Sequence, residues 1–331
     1  MMKKKTSYII NLVLVLIIYA IFAMLIDSDI INRYYSGIIA MMCINIIMAV
    51  SLNLTTGFLG QLVLGHAGFM SVGAYSAALF TMYSGLPTAV SFPIALLVAC
   101  IVAAIVGVII GIPALRLRGD YLAIITLGFG EIIRVIFLNS SFTGGALGLR
   151  GIPMVTNFSW VFFFAVFTIF VVHTFIKSRH GRSVIAIRED EIAAEASGIN
   201  TTYYKMVAFV MAAAFAGIAG ALYAHQLGII TPGKFDFNYS IEFLVMVVLG
   251  GMGSITGSVV AAILLTILPE ALRSFSDYRM LLYSAILIIM MLFKPSGLLG
   301  RYELSISKII SFFKGKFKDT QGNSDDTRKE A

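Results

Sequence analysis

Residues 159–177 read SWVFFFAVFTIFVVHTFIK, and residues 178–204 follow as SRHGRSVIAIREDEIAAEASGINTTYY. The first stretch has the length and apolarity of a membrane-crossing helix, which takes roughly 20 residues to span about 30 Å of hydrocarbon. The second is polar, and its 27 residues far exceed what a connection between neighbouring helices needs. Ile185, Ile187, Ile192, Ala193, Ala196 and Ile199 are interleaved in it with Arg188, Glu189, Asp190, Glu191 and Glu195, which predicts one amphipathic helix. Gly198 is placed to end that helix, glycine being favoured just past a helix C-terminus. A short helix with apolar and charged faces, carried by a membrane bundle, suits a groove in another protein. Its four acidic residues argue against a resting place on the headgroups of the inner leaflet, which is itself anionic.

The rest of the chain extends the same pattern. Of its 331 residues 59% are hydrophobic and 12% charged, half the charged share of a soluble domain, and the mean hydropathy is +0.93. Such a chain cannot cover a soluble surface, so the fold expected is an all-α polytopic membrane protein. Ten transmembrane segments are expected, near 8–26, 38–54, 63–83, 90–112, 121–138, 159–177, 205–226, 240–251, 256–271 and 279–293. The eighth is too short to cross alone and ends at Gly250, Gly251 and Gly253, so a half-helix or tight reversal is predicted there. The Gly-rich stretch 55–68, TTGFLGQLVLGHAG, predicts a helix break, which membranes tolerate only where protein or water satisfies the freed backbone.

Charge orients these segments. With both termini inside, eighteen basic residues fall on the cytoplasmic side, including Lys3, Lys4, Lys5, Arg116, Arg118, Arg188 and Lys205. Five fall outside: Arg33, Arg150, Lys234, Arg273 and Arg279. The positive-inside rule therefore favours an even number of crossings, N-in and C-in, and assigns the net charge of +7 to the membrane face, with no nucleic-acid partner. The apolar run after Lys5 exceeds the h-region of a signal peptide and is read as a retained span. The permease domain is taken as residues 1–300, with 178–204 as its cytoplasmic loop, 301–318 as an interfacial amphipathic segment on lipid and 319–331 as a disordered tail.

Enzymatic motifs fail on inspection. Gly228-Ile-Ile-Thr-Pro-Gly-Lys234 lacks the hydroxyl after lysine that a P-loop needs for Mg²⁺, because Phe235 stands there, and Pro232 removes a backbone donor. His66, His173, His180 and His225 have no metal-ligand spacing, and Cys43 and Cys100 lie in apolar runs. No catalytic set, metal site or cofactor is predicted. Gly107-x-x-x-Gly111 and the stretch 212–221 are small-residue patterns that bring helices close. Glu131 and Arg134, one turn apart inside the fifth segment, are expected to pair on a face turned to the bundle interior, since a charge at helix centre costs about 2.5–3.5 kcal/mol. They can serve as a structural pair or line a translocation path, and Gln61 and His66 beside the Gly-rich break can line a cavity or bond between helices.

The 193–198 segment AAEASG resembles the EAA loop of ATP-binding-cassette importer permeases. Seven further stretches in register resemble the LivM-type permeases of branched-chain amino acid importers: 52–61, 65–68, 115–122, 126–134, 187–196, 250–254 and 294–298. The resemblance implies a subunit of a bacterial plasma-membrane importer for leucine, isoleucine and valine, with related permeases serving urea, amides or other amino acids. It implies a second related permease, two ATP-binding subunits that hold the ATP and Mg²⁺, and an extracytoplasmic binding protein. Arg188, Glu189, Asp190, Glu191, Glu195 and Gly198 would then form the coupling contact with the ATPases. An ion-coupled secondary transporter is the other class that Glu131 and Arg134 would suit.

Overall fold

The computed structural model describes residues 4–28, 30–275, 278–294 and 297–300. The chain divides into two units, one of residues 1–31 and 302–331 and one of residues 32–301. In the first, helix α1 (Lys4–Asp27) leaves Leu16, Ile17, Ile21 and Met24 exposed. The interfacial segment expected at 301–318 and the tail at 319–331 lie outside the described residues.

The second unit is a helical bundle. Its helices are α2 (Arg33–Asn53), α3 (His66–Tyr83), α4 (Thr88–Ala114), α5 (Asp120–Asn139), α6 (Phe158–Lys177), α7 (Arg179–Glu189), α8 (Glu191–Ala196), α9 (Thr201–Leu227), α10 (Phe237–Gly250), α11 (Ile255–Ala271) and α12 (Arg279–Phe293). Two short strands, β1 (Leu149–Arg150) and β2 (Ile229–Ile230), pair antiparallel between connections. Every one of the ten expected apolar segments coincides with a helix, because run length and hydropathy alone locate such elements. Among the described residues, five stretches, 33–58, 88–114, 120–139, 158–177 and 201–227, are long and apolar enough to cross a membrane. Shorter apolar helical stretches cover Val13–Asp27, Phe237–Gly250 and Ile255–Ala271. The chain is thus an all-α, multi-pass membrane protein.

Small side chains set the packing order. Ala212, Ala213, Ala216, Gly217, Ala219, Gly220 and Ala221 make α9 thin enough for α3 and α4 to lie directly on it. A Cβ on Gly73 would overlap the Gly217 backbone, and one on Gly220 the Met70 carbonyl. Gly107 and Gly111 of α4 meet Ala213 and Met206 of the same helix. Burial grades outward: 72% of the apolar window is buried in the stretch containing α2 and in α9, but only 17% in α5, which stands at the margin of the bundle.

Two irregularities interrupt the regular helices. Helix α2 runs on as a π-helical turn over Leu54–Phe58, and residues 60–65 then lead to α3 without regular structure. Helix α10 has 14 residues, about 21 Å at 1.5 Å per residue, and cannot cross. It reverses through Gly251 (φ 109°) and Gly253 (φ 86°) into α11, which Ser254 caps. Both the break and the reversal fall where glycine predicted them.

Residues 178–204 depart from expectation. They form two helices, α7 and α8, where one was predicted. Asp190 leaves helical geometry (φ −157°, ψ 108°), and its Oδ1 accepts hydrogen bonds from the Ile192 and Ala193 amides at 2.9 and 3.0 Å. A carboxylate that caps its own chain in this way competes with helix continuation. Of the predicted apolar contacts only Ile187 is buried; Ile185 and Ile199 are half-buried, Ala193 and Ala196 are exposed and Ile192 is 71% exposed, while Val184 and Ala194 fill the buried positions instead.

Candidate functional site

The helix pair α7–α8 is built from strong local signals. Ser178 caps α7 by accepting from the Gly181 amide at 3.2 Å. Gly181 is required at that corner, since a Cβ there would overlap the Phe175 carbonyl and the Ile176 backbone as α6 turns into α7. Gly198, at φ 83°, closes α8, with Ile199 N donating to Ala194 O and Gly198 N to Glu195 O. Asn200 Oδ1 then caps α9 at the Tyr203 amide.

The six residues expected at the coupling contact fall into two groups. Glu189, Asp190, Glu195 and Gly198 are exposed on the pair. Arg188 and Glu191 turn back to the bundle. Glu191 Oε2 meets Lys205 Nζ of α9 at 2.7 Å, and its Oε1 meets Arg118 at 3.3 Å. Lys205 is nearly sealed, with 4% of its side chain exposed, so Glu191 neutralises a buried charge. Arg188 crosses to the helix break: its stem lies on Gly60, and its Nη1 donates to the Gly57 carbonyl at 2.7 Å.

The break and the reversal touch each other there. Asn53 Nδ2 donates to Ser254 O and Ser258 Oγ, and Asn53 Oδ1 accepts from Gly253 N, each at 2.9 Å. A Cβ on Gly57 would overlap the Asn53 side chain and the Gly253 nitrogen. Sequence reasoning did not single out Asn53, Gly57, Arg118 or Lys205. The clustered glycines at 57, 60, 250, 251 and 253 were the one signal that pointed to this junction.

The path candidates lie on the other side of the break. Residues 60–65 pack on α5, where Leu64 N donates to Thr126 Oγ1 at 3.1 Å and Gly65 lies against Gly130. One turn further, Arg134 Nε meets Glu131 Oε2 at 2.7 Å, as predicted from their spacing. The pair is not enclosed by this chain: the side chains are 28% and 34% exposed on the least buried span. Gln61 Oε1 and Thr56 Oγ1, at the break itself, are buried acceptors that no described group satisfies. His66 is 1% exposed, and its Nε2 is 2.9 Å from Ser51 Oγ of α2, an interhelical bond. No group of three or more metal-ligating side chains occurs among the described residues. In the lysine loop that resembled a P-loop, residues 232–234 form a 3₁₀ turn, and Lys234 sits over the Tyr239 ring at 4.5 Å.

A family model described as the permease component of branched-chain amino acid transport systems matches residues 34–293. The chain is 38% identical over 304 residues to the high-affinity branched-chain amino acid transport system permease protein LivM of Salmonella typhimurium, covering 81% of this chain and 71% of that one. The Escherichia coli LivM gives the same figures. Escherichia coli LivH is 38% identical over 130 residues, 38% of this chain and 42% of its own. No solved structure matches the chain.

Proposed function

Because this chain belongs to the family of permease components of branched-chain amino acid transport systems, we propose that it is the membrane-spanning subunit of an ATP-binding-cassette importer that carries leucine, isoleucine and valine into the cell. The observation that carries the mechanism is the helix pair α7–α8, which presents Glu189, Asp190 and Glu195 to the outside of the bundle while Arg188 and Glu191 bind it inward. Two ATP-binding subunits dock on that pair and hold the ATP and Mg²⁺. An extracytoplasmic binding protein delivers the amino acid on the opposite face. The chain works as a transport part without an ATPase site of its own, in a bacterial plasma membrane, with about ten transmembrane segments that include half-helices such as α10, and both termini inside.

The half-exposed Glu131–Arg134 pair supports pairing with a second, related permease. Charges on a span facing hydrocarbon are costly, so the side of α5 that bears them is covered by protein or water. The second permease supplies that cover. Gln61, Glu131 and Arg134 then line the route, and His66 steadies the helix behind it. Nucleotide drives the cycle only if the inward-open and outward-open states bind ATP, amino acid and delivery protein with different affinities.

Leucine uptake into proteoliposomes tests this reading, with this chain, its partner permease, both ATPases and the binding protein present and ATP inside. Uptake is expected to vanish when any one component is left out. Uptake by this chain alone on a proton or sodium gradient would replace the reading with an ion-coupled transporter. ATP-dependent cycling without leucine uptake would move the substrate to urea, amides or another amino acid.

A further inference from the structure

We propose that Arg188 is a positioning residue that pins the cytoplasmic helix pair to the helix break inside the bundle, so that movement of α7–α8 is delivered directly to the π turn at 54–58 and to the reversal at 251–254. This rests on the reading of α7–α8 as the element that the ATPases move.

Three segments distant in sequence meet at this side chain. Gly57 lies at the end of α2, where the last carbonyls have no intrahelical donor. Arg188 supplies the donor at 2.7 Å, from a helix some 130 residues further along the chain. The guanidinium also borders the reversal, since a Cβ on Gly253 would come within 2.8 Å of Arg188 Nη1. Three glycines make the room: Gly60 under the stem, Gly57 as acceptor, Gly253 beside the charge. Asn53 then joins the break to the reversal through two hydrogen bonds and to α11 through a third, so the two irregular segments move together.

Such a junction takes up displacement because its glycines give the backbone alternatives that a regular helix lacks. A π turn and a two-glycine reversal are the parts of a helical bundle that change local geometry without unpacking a helix face. The break leads into residues 60–65, which pack on α5 at Gly65, Thr126 and Gly130, one turn from Glu131 and Arg134. A shift of α7 thus reaches the charged face of α5 through contiguous packed backbone. Glu191, by contrast, anchors α8 to α9, where both helices are regular, and gives the pair its second fixed point.

Two measurements test the tie. Hydrogen exchange on the purified chain reads the junction without any partner: in Arg188→Met, the amides of residues 57–61 and 251–254 should both exchange about tenfold faster, while those of α3 and α9 stay protected. In the complete proteoliposome assembly, leucine moved per ATP hydrolysed should fall about tenfold, because hydrolysis no longer drives the break. Arg188→Lys keeps one donor and should recover most of the protection and part of the ratio. Unchanged protection at both segments in Arg188→Met, or an unchanged ratio of uptake to hydrolysis, overturns the proposal. If the methionine variant does not fold, Arg188→Lys decides, with a fall of about threefold in the ratio expected and wild-type behaviour refuting the tie. A wild-type assembly that moves no leucine overturns the functional reading instead, and exchange in the isolated chain then settles the role of Arg188.

Discussion

Lys205 holds its charge on a side chain only 4% exposed, at the start of a helix that forms the centre of the bundle. Its 2.7 Å contact with Glu191 is therefore unlike the 3.3 Å contact of Arg118, 67% exposed, with the same carboxylate. Solvent screens the second pair to little net worth. Losing the first leaves a buried ammonium group without its counter-charge, which costs about 3–5 kcal/mol. Glu191→Gln is thus expected to lower the thermal unfolding temperature in detergent markedly. Arg118→Gln should leave it nearly unchanged. The double variant Glu191→Gln, Lys205→Met should recover most of the loss, because neither partner remains charged. A double variant as unstable as the single one would mean that Lys205 is neutralised by another group.

At the scale of elements, hydropathy located the helices, and the glycines located the break and the reversal, because length, polarity and positive φ are properties of a short window of sequence. The division of residues 178–204 was not legible. Asp190 stands in an unbroken acidic run, Glu189-Asp190-Glu191, where a helix-capping carboxylate looks the same as a member of a charged face. The junction of Asn53, Gly57, Arg188 and Gly253 was equally hidden, since its members lie on segments that only the fold brings together. Lys205 counted in the sequence as one more cytoplasmic charge, and burial alone distinguishes it. The capping role of Asp190 carries its own expectation. Asp190→Ala removes two hydrogen bonds to the first turn of α8 and should cost that helix about 1 kcal/mol. Amides 192–197 should then lose protection in hydrogen exchange while those of α7 keep theirs. Asp190→Asn, which retains the acceptor, should behave as wild type. Equal loss along both helices would show that α7 and α8 open as one unit.

For the molecule as a whole, the helix pair presents one set of charged side chains to the bundle and another to the outside, and on the proposed reading the first transmits movement and the second meets the ATPases. Arg188 and Glu191 face the bundle; Glu189 and Glu195 are exposed, and Glu195 stands on the short helix α8 next to the exposed Ile192. An exposed carboxylate does little for the fold of its own chain, so reversing its sign acts mainly on whatever meets that face. Glu195→Lys is expected to insert, fold and keep the Glu191–Lys205 pair. Its affinity for the ATPase subunits should fall about tenfold, equivalent to some 1.4 kcal/mol. Uptake and ATP hydrolysis should decline together at limiting ATPase, and excess ATPase should restore both. That pattern is the opposite of the one expected for Arg188→Met, where hydrolysis outlives uptake and added ATPase restores nothing. Titrating the ATPase subunits against both variants therefore separates loss of docking from loss of transmission. Unaltered affinity in Glu195→Lys would place the docking face elsewhere on the pair, and a ratio of uptake to hydrolysis that falls in both variants alike would mean the two surfaces are not distinct.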